Sequence, residues 1–570
     1  MTRRQERRAT NTTEQVLLYS AVAAAVAVAV AVWVGWVAGG GPAHVNPIAL
    51  PIELVTGRRA WPGAWSTLVA AAIVAVFGAG LALFAARTST GVGGRTDRHL
   101  RSRARLLGGP GDINDLTGGA ARKAARLAPA LRDGHGRQHV GLPIGRTLNG
   151  GAAVTQSWED TAAVVAGTRR GKSTAFVVPK IAAAGRVPVL AAGNKRDVLD
   201  ATSDLRGRHG RVWVFDPQQL AGTLPQFYFN PVDGVATKAA AEELVAIFTL
   251  AVRRADRDAD SYFDQDAGDY LACLILAAGL DGGTLLDVYR WVLDDVNDRV
   301  TVPAILRAAG EEFPAQKVEA VYRYPDKQRL GVTATAALLL RVVGNRESWP
   351  WITPGGDRER FDPAGFVTST DTLYLLGQEG TDSAGALVAA LVQSCFEAGI
   401  RASAASRGGR LNPPLVAELD EAANICRLPK LPAQYSHFGS RGVVVSTYLQ
   451  SWSQGQAVWG DRGMRALWDA ATLRVYGGGA ADDKFLDSIS RLAGEHTVID
   501  AAHSRSRYGP SVSDSRTRER TLDVAQLAGL PLGRAVLIPS VGPVTVLATQ
   551  PWQDGLHAHR IRASIAEAAQ

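Results

Sequence analysis

Cysteine is scarce. Cys273, Cys395 and Cys426 are the three in 570 residues, far apart and with no CxxC pair. That excludes a disulfide scaffold and a structural zinc site of the usual spacing, and it suits a reducing compartment. No internal repeat is present, and low complexity is confined to one Ala/Val-rich stretch near the start, which excludes a repeat architecture. Charge is modest: 20% of residues are charged against 46% hydrophobic, the balance of a chain that folds. Neither sign dominates. The 62 Lys and Arg oppose 54 Asp and Glu, giving a net charge of +8 and a pI near 9.5. Such a balance permits contact with nucleic acid or anionic lipid without demonstrating it. The length predicts roughly two to four structural units and an ample core.

What the N-terminal end has is uncharged length. Residues 16–37 and 64–86 carry no charge, and each reaches the roughly 20 apolar residues that cross about 30 Å of hydrocarbon. Only a helix crosses alone, because it satisfies its own backbone. Trp33, Trp36, Trp61 and Trp65 stand near the ends, where amphipathic rings favour the interface. A signal peptide is the other reading of the first run, but the run is long for one and a second follows it. Arg3, Arg4, Arg7 and Arg8 precede the first run, and Arg87, Arg95, Arg98, Arg101, Arg103 and Arg105 follow the second; only Arg58 and Arg59 lie between. The positive-inside bias therefore predicts a two-pass protein of the plasma membrane with both termini cytoplasmic. Its parts are a tail 1–15, spans 16–37 and 64–86, and an outer loop 38–63. Residues 87–138 read as a basic Gly/Arg-rich linker with Arg122, Lys123, Arg126 and Arg132. Membrane lipid headgroups suit it, and nucleic-acid phosphate is the sharper alternative.

Beyond the linker, short apolar runs alternate with helical patterns. The runs are Thr161–Val165, Val187–Ala192, Arg211–Phe215, Thr372–Leu376, Pro414–Leu419, Val443–Leu449 and Leu473–Tyr476. The alternation predicts an α/β fold with a mostly parallel sheet covered on both faces. From about Arg254 to Gly344 the pattern is helical throughout. Thr284 with Asp287 is a helix start, as is Thr301 with Pro303. The expected body is thus an α/β domain, 139–253 and 346–560, interrupted by an all-helical domain, 254–345; the motifs below make the α/β part a nucleotide-binding domain.

The sharpest motif follows the first of these strands. Ala166-Gly167-Thr168-Arg169-Arg170-Gly171-Lys172-Ser173-Thr174 fits the phosphate-binding loop G-x-x-x-x-G-K-[ST], with Ala in the first position. Residues 167–174 would cradle phosphates at a helix N-terminus. Lys172 would reach the β- and γ-phosphates, Ser173 would ligate Mg²⁺, and Thr174 would donate to the α-phosphate. Should the first position need a positive φ, Ala166 would cost about a kcal/mol. A second motif ends the run PLVAELDE at 414–421. Asp420 would hold the metal and Glu421 would orient and deprotonate the attacking water, both at a strand's carboxyl end beside the phosphates. An apolar run ending in Asp-Glu is common by itself; its pairing with the loop gives it weight. Glu418, on the other face from Leu419, is expected to be solvated. Gln450, at the tip of VVVSTYLQ, can sense the γ-phosphate or place the water.

Several segments, taken in order, resemble the type IV secretion coupling proteins of conjugation. They are the paired spans, the phosphate loop, Asn194-Lys195-Arg196-Asp197, Arg211–Pro217, Phe229-Asn230-Pro231, Ser261-Tyr262-Phe263, LDEAANICRLPKLP at 419–432, Ser440-Arg441-Gly442, Leu449-Gln450-Ser451 with Gln454, Trp459-Gly460, and Leu522–Leu532. The resemblance spans about 16 to 550. It implies a RecA-like P-loop NTPase core and a homo-hexameric ring that uses ATP and Mg²⁺. It also implies that the ring passes single-stranded DNA with its bound relaxase to secretion channel components. Lys172, Ser173, Asp420, Glu421 and Gln450 keep the roles given above, and Arg441 becomes the candidate arginine finger acting in trans. Two other readings stand beside it: a related ring motor that exports protein or pumps double-stranded DNA, and a nucleotide-gated membrane scaffold.

Overall fold

The apolar runs take up strand geometry because β-branched and small side chains fill both of their faces. In chain order the strands are β1 Leu142–Thr147, β2 Ala153–Gln156, β3 Ala162–Val165, β4 Val189–Gly193, β5 Val212–Phe215, β6 Phe227–Tyr228, β7 Glu359–Arg360, β8 Thr372–Leu376, β9 Leu415–Leu419, β10 Val443–Leu449, β11 Leu473–Tyr476, β12 Glu495–Ser506, β13 Gly509–Arg520, β14 Arg534–Pro539 and β15 Thr545–Ala548. This computed structural model describes residues 29–47, 49–73, 92–133, 135–252, 261–294, 299–378, 384–506 and 509–569.

Eleven strands form one sheet in the order β2-β1-β15-β14-β11-β3-β10-β9-β4-β8-β5. The seven from β11 to β5 are parallel, and they are the seven runs predicted from the sequence. The other four continue the sheet as an antiparallel flank that apolar patterning did not reveal. Alternation along β3 places Ala162 and Val164 in one core and Ala163 and Val165 in the other. Helices cover both faces, as a parallel sheet requires. Among them is Gly385–Ala405, the one described helix long and apolar enough to cross a membrane, mostly buried inside the protein.

Between β6 and β7 the described residues contain helices and no strand. At the centre lies Ser261–Asp281, fully buried from Tyr270 to Ala278. Thr284 caps the next helix, Leu285–Leu293, in a reciprocal box with Asp287, as its spacing predicts. Asn230, just after β6, ties this insertion to the turn that follows that strand: its amide donates to Asp233 at 2.6 Å and to the Gly283 carbonyl at 3.0 Å, and its oxygen accepts from Leu285 N–H.

The molecule divides at Arg95 into two units. In the first, helices Ala29–Ala38, Leu50–Val55 and Ala64–Ile73 are described. Trp36, Val45 and Leu50 form its small core, and Trp33 Nε1 donates to the Val45 carbonyl at 2.9 Å. Positions 16–28 of the first expected span and 74–86 of the second lie outside the described residues. In the second unit, the stretch taken as a linker carries a 3-10 turn Asn114–Leu116 and a helix Ala120–Leu127 packed on the sheet through Leu116 and Ala124. Lys123 pairs with Glu159 and Asp160, and Arg103 with Glu519. The ribbon β12–β13, paired over twelve rungs, was not foreseen.

Candidate active site

β3 ends at Val165 and the chain turns through Ala166 to Gly171 into a helical segment that begins with a π-type turn, Ser173–Val177, and continues as Val178–Ala183. The turn is tight. Gly167 donates to the Gly478 carbonyl at 2.9 Å, and a β-carbon on Gly167 would lie 2.6 Å from the Gly479 oxygen, so only glycine fits. Left-handed φ falls on Arg169 and Gly171, not on Ala166; the alanine therefore carries no strain of that kind. The first-turn amides of this helix have no intrahelical acceptor and face an anion with the positive end of the dipole.

Lys172 is buried. Its ammonium donates to the Ala166 carbonyl at 3.0 Å and stands 3.5 Å from Glu421. Arg170 turns its guanidinium away from the cradle, onto the carbonyls of Gly477, Leu530 and Pro531 at 3.0, 2.7 and 3.1 Å. Of Arg170, then, only the backbone remains for phosphate. Arg169 is exposed, and the Thr174 side chain is half-buried.

β9 lies one strand away from β3, with β10 between them, so the loop after β3 and the ends of β9 and β10 converge. Ser173 Oγ donates to Asp420 Oδ2 at 2.8 Å. The other oxygen, Asp420 Oδ1, is buried with no partner. Burial pushes the Asp420 carboxyl up to about 6, against the Ser173 hydrogen bond and with help from the Glu421 charge. A buried carboxylate with an orphan oxygen beside a serine hydroxyl fits a small hard cation, which takes oxygen ligands and keeps several waters.

Glu421 would point to the opposite face if the strand continued. Instead it adopts left-handed backbone, φ 56° and ψ 39°, a conformation costing about 1–2 kcal/mol for a residue with a side chain. The break in alternation brings both carboxylates to one site. Glu421 Oε2 accepts from Gln450 at 2.8 Å and from Asn424 at 3.2 Å. Gln454 closes the ring, donating to Asn424 at 2.6 Å and accepting from Gln450 N–H at 3.0 Å. Asn424 was missed from the sequence; its position three residues after Glu421, on the turn following the strand, was the available signal.

Arg441 is not in this cluster. It ends the helix Leu431–Arg441 ahead of β10, at the opposite end of that strand from Gln450, with its carbonyl accepting from Leu411 N–H. Glu418 overturns its expectation of solvation. It is fully buried, because helices cover both faces of the sheet, and burial raises its carboxyl to about 7 despite Lys180 and the hydroxyls of Tyr448 and Ser446.

Two family models match the chain. The one described as Type IV secretory system Conjugative DNA transfer covers residues 136–302, and the one described as TraM recognition site of TraD and TraG covers 414–532. Together they span about half of its length. Among solved structures, the bacterial conjugative coupling protein TrwBdeltaN70 in an unbound form is 17% identical with a TM-score of 0.50, over 71% of this chain and 88% of that one. The plasmid coupling protein TrwB in complex with ADP and Mg²⁺ is 16% identical with a TM-score of 0.50, over 70% and 87%. At such identity the likeness shows the fold, a RecA-like α/β core. No curated protein matches significantly.

Proposed function

The chain belongs to the type IV secretion coupling proteins of conjugative DNA transfer, and from that membership we propose that it is an Mg²⁺-dependent ATPase, anchored by two N-terminal spans in the plasma membrane. Its work is to deliver single-stranded DNA with bound relaxase to a secretion channel. One observation carries the enzymatic part: Ser173 and Asp420 meet at 2.8 Å with an orphan carboxylate oxygen beside them, while Glu421 is held between Lys172 and Gln450. A TrwB structure of similar fold holds ADP with Mg²⁺, which supports a nucleotide with Mg²⁺ here.

In this reading the amides of 168–173 bind the β-phosphate and Lys172 exchanges its loop carbonyls for phosphate oxygens. Ser173 and Asp420 would hold the metal, whose contribution when bound would be to offset charge developing on the phosphoryl group. Glu421, aligned by Gln450 and Asn424, orients a water and accepts its proton. Arg441 lies too far from its own site to act there; a ring, proposed as hexameric, is the arrangement in which it would serve a neighbour. Turnover of ATP by the full chain in detergent or nanodiscs tests the proposal. Hydrolysis that needs Mg²⁺ and rises with single-stranded DNA is expected, with DNA affinity falling as salt rises. Hydrolysis without any DNA response overturns the translocase, and no hydrolysis overturns the enzyme.

A further inference from the structure

A second polar layer lies directly beneath the first. Lys180, Glu418, Ser446 and Tyr448 are each at most 1% exposed. Lys180 Nζ donates to Ser446 Oγ at 2.9 Å and stands 4.0 Å from Glu418 Oε2. Tyr448 donates to that same oxygen at 2.5 Å. The Ser446 hydroxyl is within donating distance of Glu418 Oε1 at 3.0 Å and of Gln156 Oε1 at 3.2 Å. Lys180 also lies over the Tyr448 ring, 5.5 Å from its centre.

The members come from the three elements that carry the catalytic groups. Glu418 on β9 precedes Asp420, just past the strand's end, by two residues, and the Asp420 N–H still bonds the neighbouring strand at Ala192, so the two share a face. Tyr448 precedes Gln450 by two on β10, and Ser446 pairs in register with Glu418. Lys180 is on the helical segment that starts at the phosphate loop, about two turns from Ser173. Phe176, between them, packs on Tyr448 with ring centres 6.5 Å apart. Cohesion does not call for such a set, since apolar residues of similar volume usually hold a core as well as a buried ion pair or better. What directional bonds add is one fixed register of helix against strands.

We propose that Lys180, Glu418, Ser446 and Tyr448 are positioning residues that fix the phosphate-loop helix against β9 and β10, and so set the alignment of Ser173 with Asp420 for a metal-bound nucleotide. The inference rests on the ATPase reading above. An ångström of misalignment at a reacting centre is enough to lower a rate on the order of 100-fold, so a small loss of register has a readable effect.

Three variants test it: Lys180→Met, the double Lys180→Met/Glu418→Gln, and Tyr448→Phe. Each is assayed for ATP turnover, for the melting temperature of the nucleotide-free chain, and for affinity toward a non-hydrolysable ATP analogue with Mg²⁺ and with EDTA. Lys180→Met leaves a buried carboxylate without its cation and lowers the melting temperature most; the double variant restores much of it. The kcat stays down about tenfold or more in both, with KM for ATP within about threefold. Analogue affinity falls about tenfold with Mg²⁺ and is unchanged in EDTA, a split that loss of packing alone would not produce. If kcat and Mg²⁺-dependent affinity recover together with melting temperature in the double variant, the network only packs, and the proposal is overturned. Should the Lys180 variants fail to fold, Tyr448→Phe decides: unmodified kcat and unmodified Mg²⁺-dependent affinity overturn it, and a several-fold loss of both supports it. Failure of the two readings is distinguishable. Absence of turnover in the unmodified chain sinks the ATPase and this inference with it, whereas variants that match an active unmodified chain sink this inference alone.

Discussion

Two polar layers lie one above the other toward the carboxyl ends of β9 and β10, the lower sealed and the upper partly open, and they are oppositely finished. In the lower one every side-chain polar atom of Lys180, Glu418, Ser446 and Gln156 lies within hydrogen-bonding distance of another polar group, the Ser446 hydroxyl being shared between Glu418 and Gln156. In the upper one Asp420 keeps an orphan oxygen and Glu421 sits in left-handed backbone. A fold has no use for a buried orphan acceptor, which forfeits about 1–3 kcal/mol, or for a strained carboxylate. The pairing of a complete layer with an incomplete one teaches that the defects are local and supported from below. Incompleteness is where a ligand is to bind, and completeness is what holds that place in shape.

The most severe way to break the comparison is Glu421→Gln. The amide is isosteric and keeps contact with Gln450 and Asn424, so the upper layer stays assembled while losing its base. Turnover is expected to fall more than about 100-fold with Mg-ATP binding within a few-fold, measured by steady-state hydrolysis and by analogue binding. DNA transfer in cells should stop with it. A chain that transfers DNA normally with this substitution is a nucleotide-gated scaffold, not a motor.

Asp420→Asn sharpens the comparison through stability, with a smaller effect of known sign. The Asp420 carboxyl is raised by burial from 3.8 to about 6, so between these values the folded chain binds its proton more tightly than the unfolded one. Stability contributed by this group is therefore lost as pH rises from about 4 to about 6, reaching about 3 kcal/mol above that window. The asparagine has no such penalty. Without Mg²⁺ at pH 7.5 the variant should melt about 2–4 °C above the unmodified chain, and the gap should close near pH 4. Glu418 is raised in the same direction, chiefly by burial and in part by the Asp420 charge, so removing that charge eases its penalty as well and acts with the same sign. Added Mg²⁺ should reverse the order by favouring the ionised carboxylate. A melting curve in EDTA with the variant lower at pH 7.5 would remove the ligand-ready reading of Asp420.

The comparison also separates what the sequence made legible from what it did not. The parallel strands were legible because burial on both faces demands continuous apolar runs such as AAVV at β3 and VVVSTYL at β10. The antiparallel flank is short and interrupted, as in LPIGRT at β1, and the β12–β13 ribbon is mostly polar, so neither has a hydrophobic signature to follow. In the upper layer Lys172, Ser173, Asp420, Glu421 and Gln450 were legible because their spacing along the chain encodes the chemistry. The lower layer was not, since Lys180 and Glu418 are brought together only by the sheet order. A signal did exist: a carboxylate inside a strand covered on both faces must be paired, and Lys180 is the lone charge in the apolar helix that packs there. The left-handed turn at Glu421 and the averted Arg170 side chain depend on local geometry that residue types alone do not fix.

The mildest change concerns the residue that departs from the usual loop. Ala166 has an ordinary φ, donates its N–H to the Leu449 carbonyl and offers its own carbonyl to Lys172. Those contacts are all backbone, so Ala166→Gly leaves the cradle in place. Its methyl occupies space that Gly477 leaves open: a β-carbon at 477 would lie 2.7 Å from it. Ala166→Gly should therefore keep kcat and KM within about twofold and lower stability by only about 0.5–1 kcal/mol, through backbone entropy. The reciprocal test locates the cause. Gly477→Ala alone should disturb the loop by overpacking, and the paired exchange Ala166→Gly/Gly477→Ala should recover turnover, because one methyl then fills the space that one methyl filled before. If the paired variant is no better than Gly477→Ala, room at the loop is not what allows alanine in the first position, and the upper layer depends on its backbone turn more than on the packing between β3 and β11.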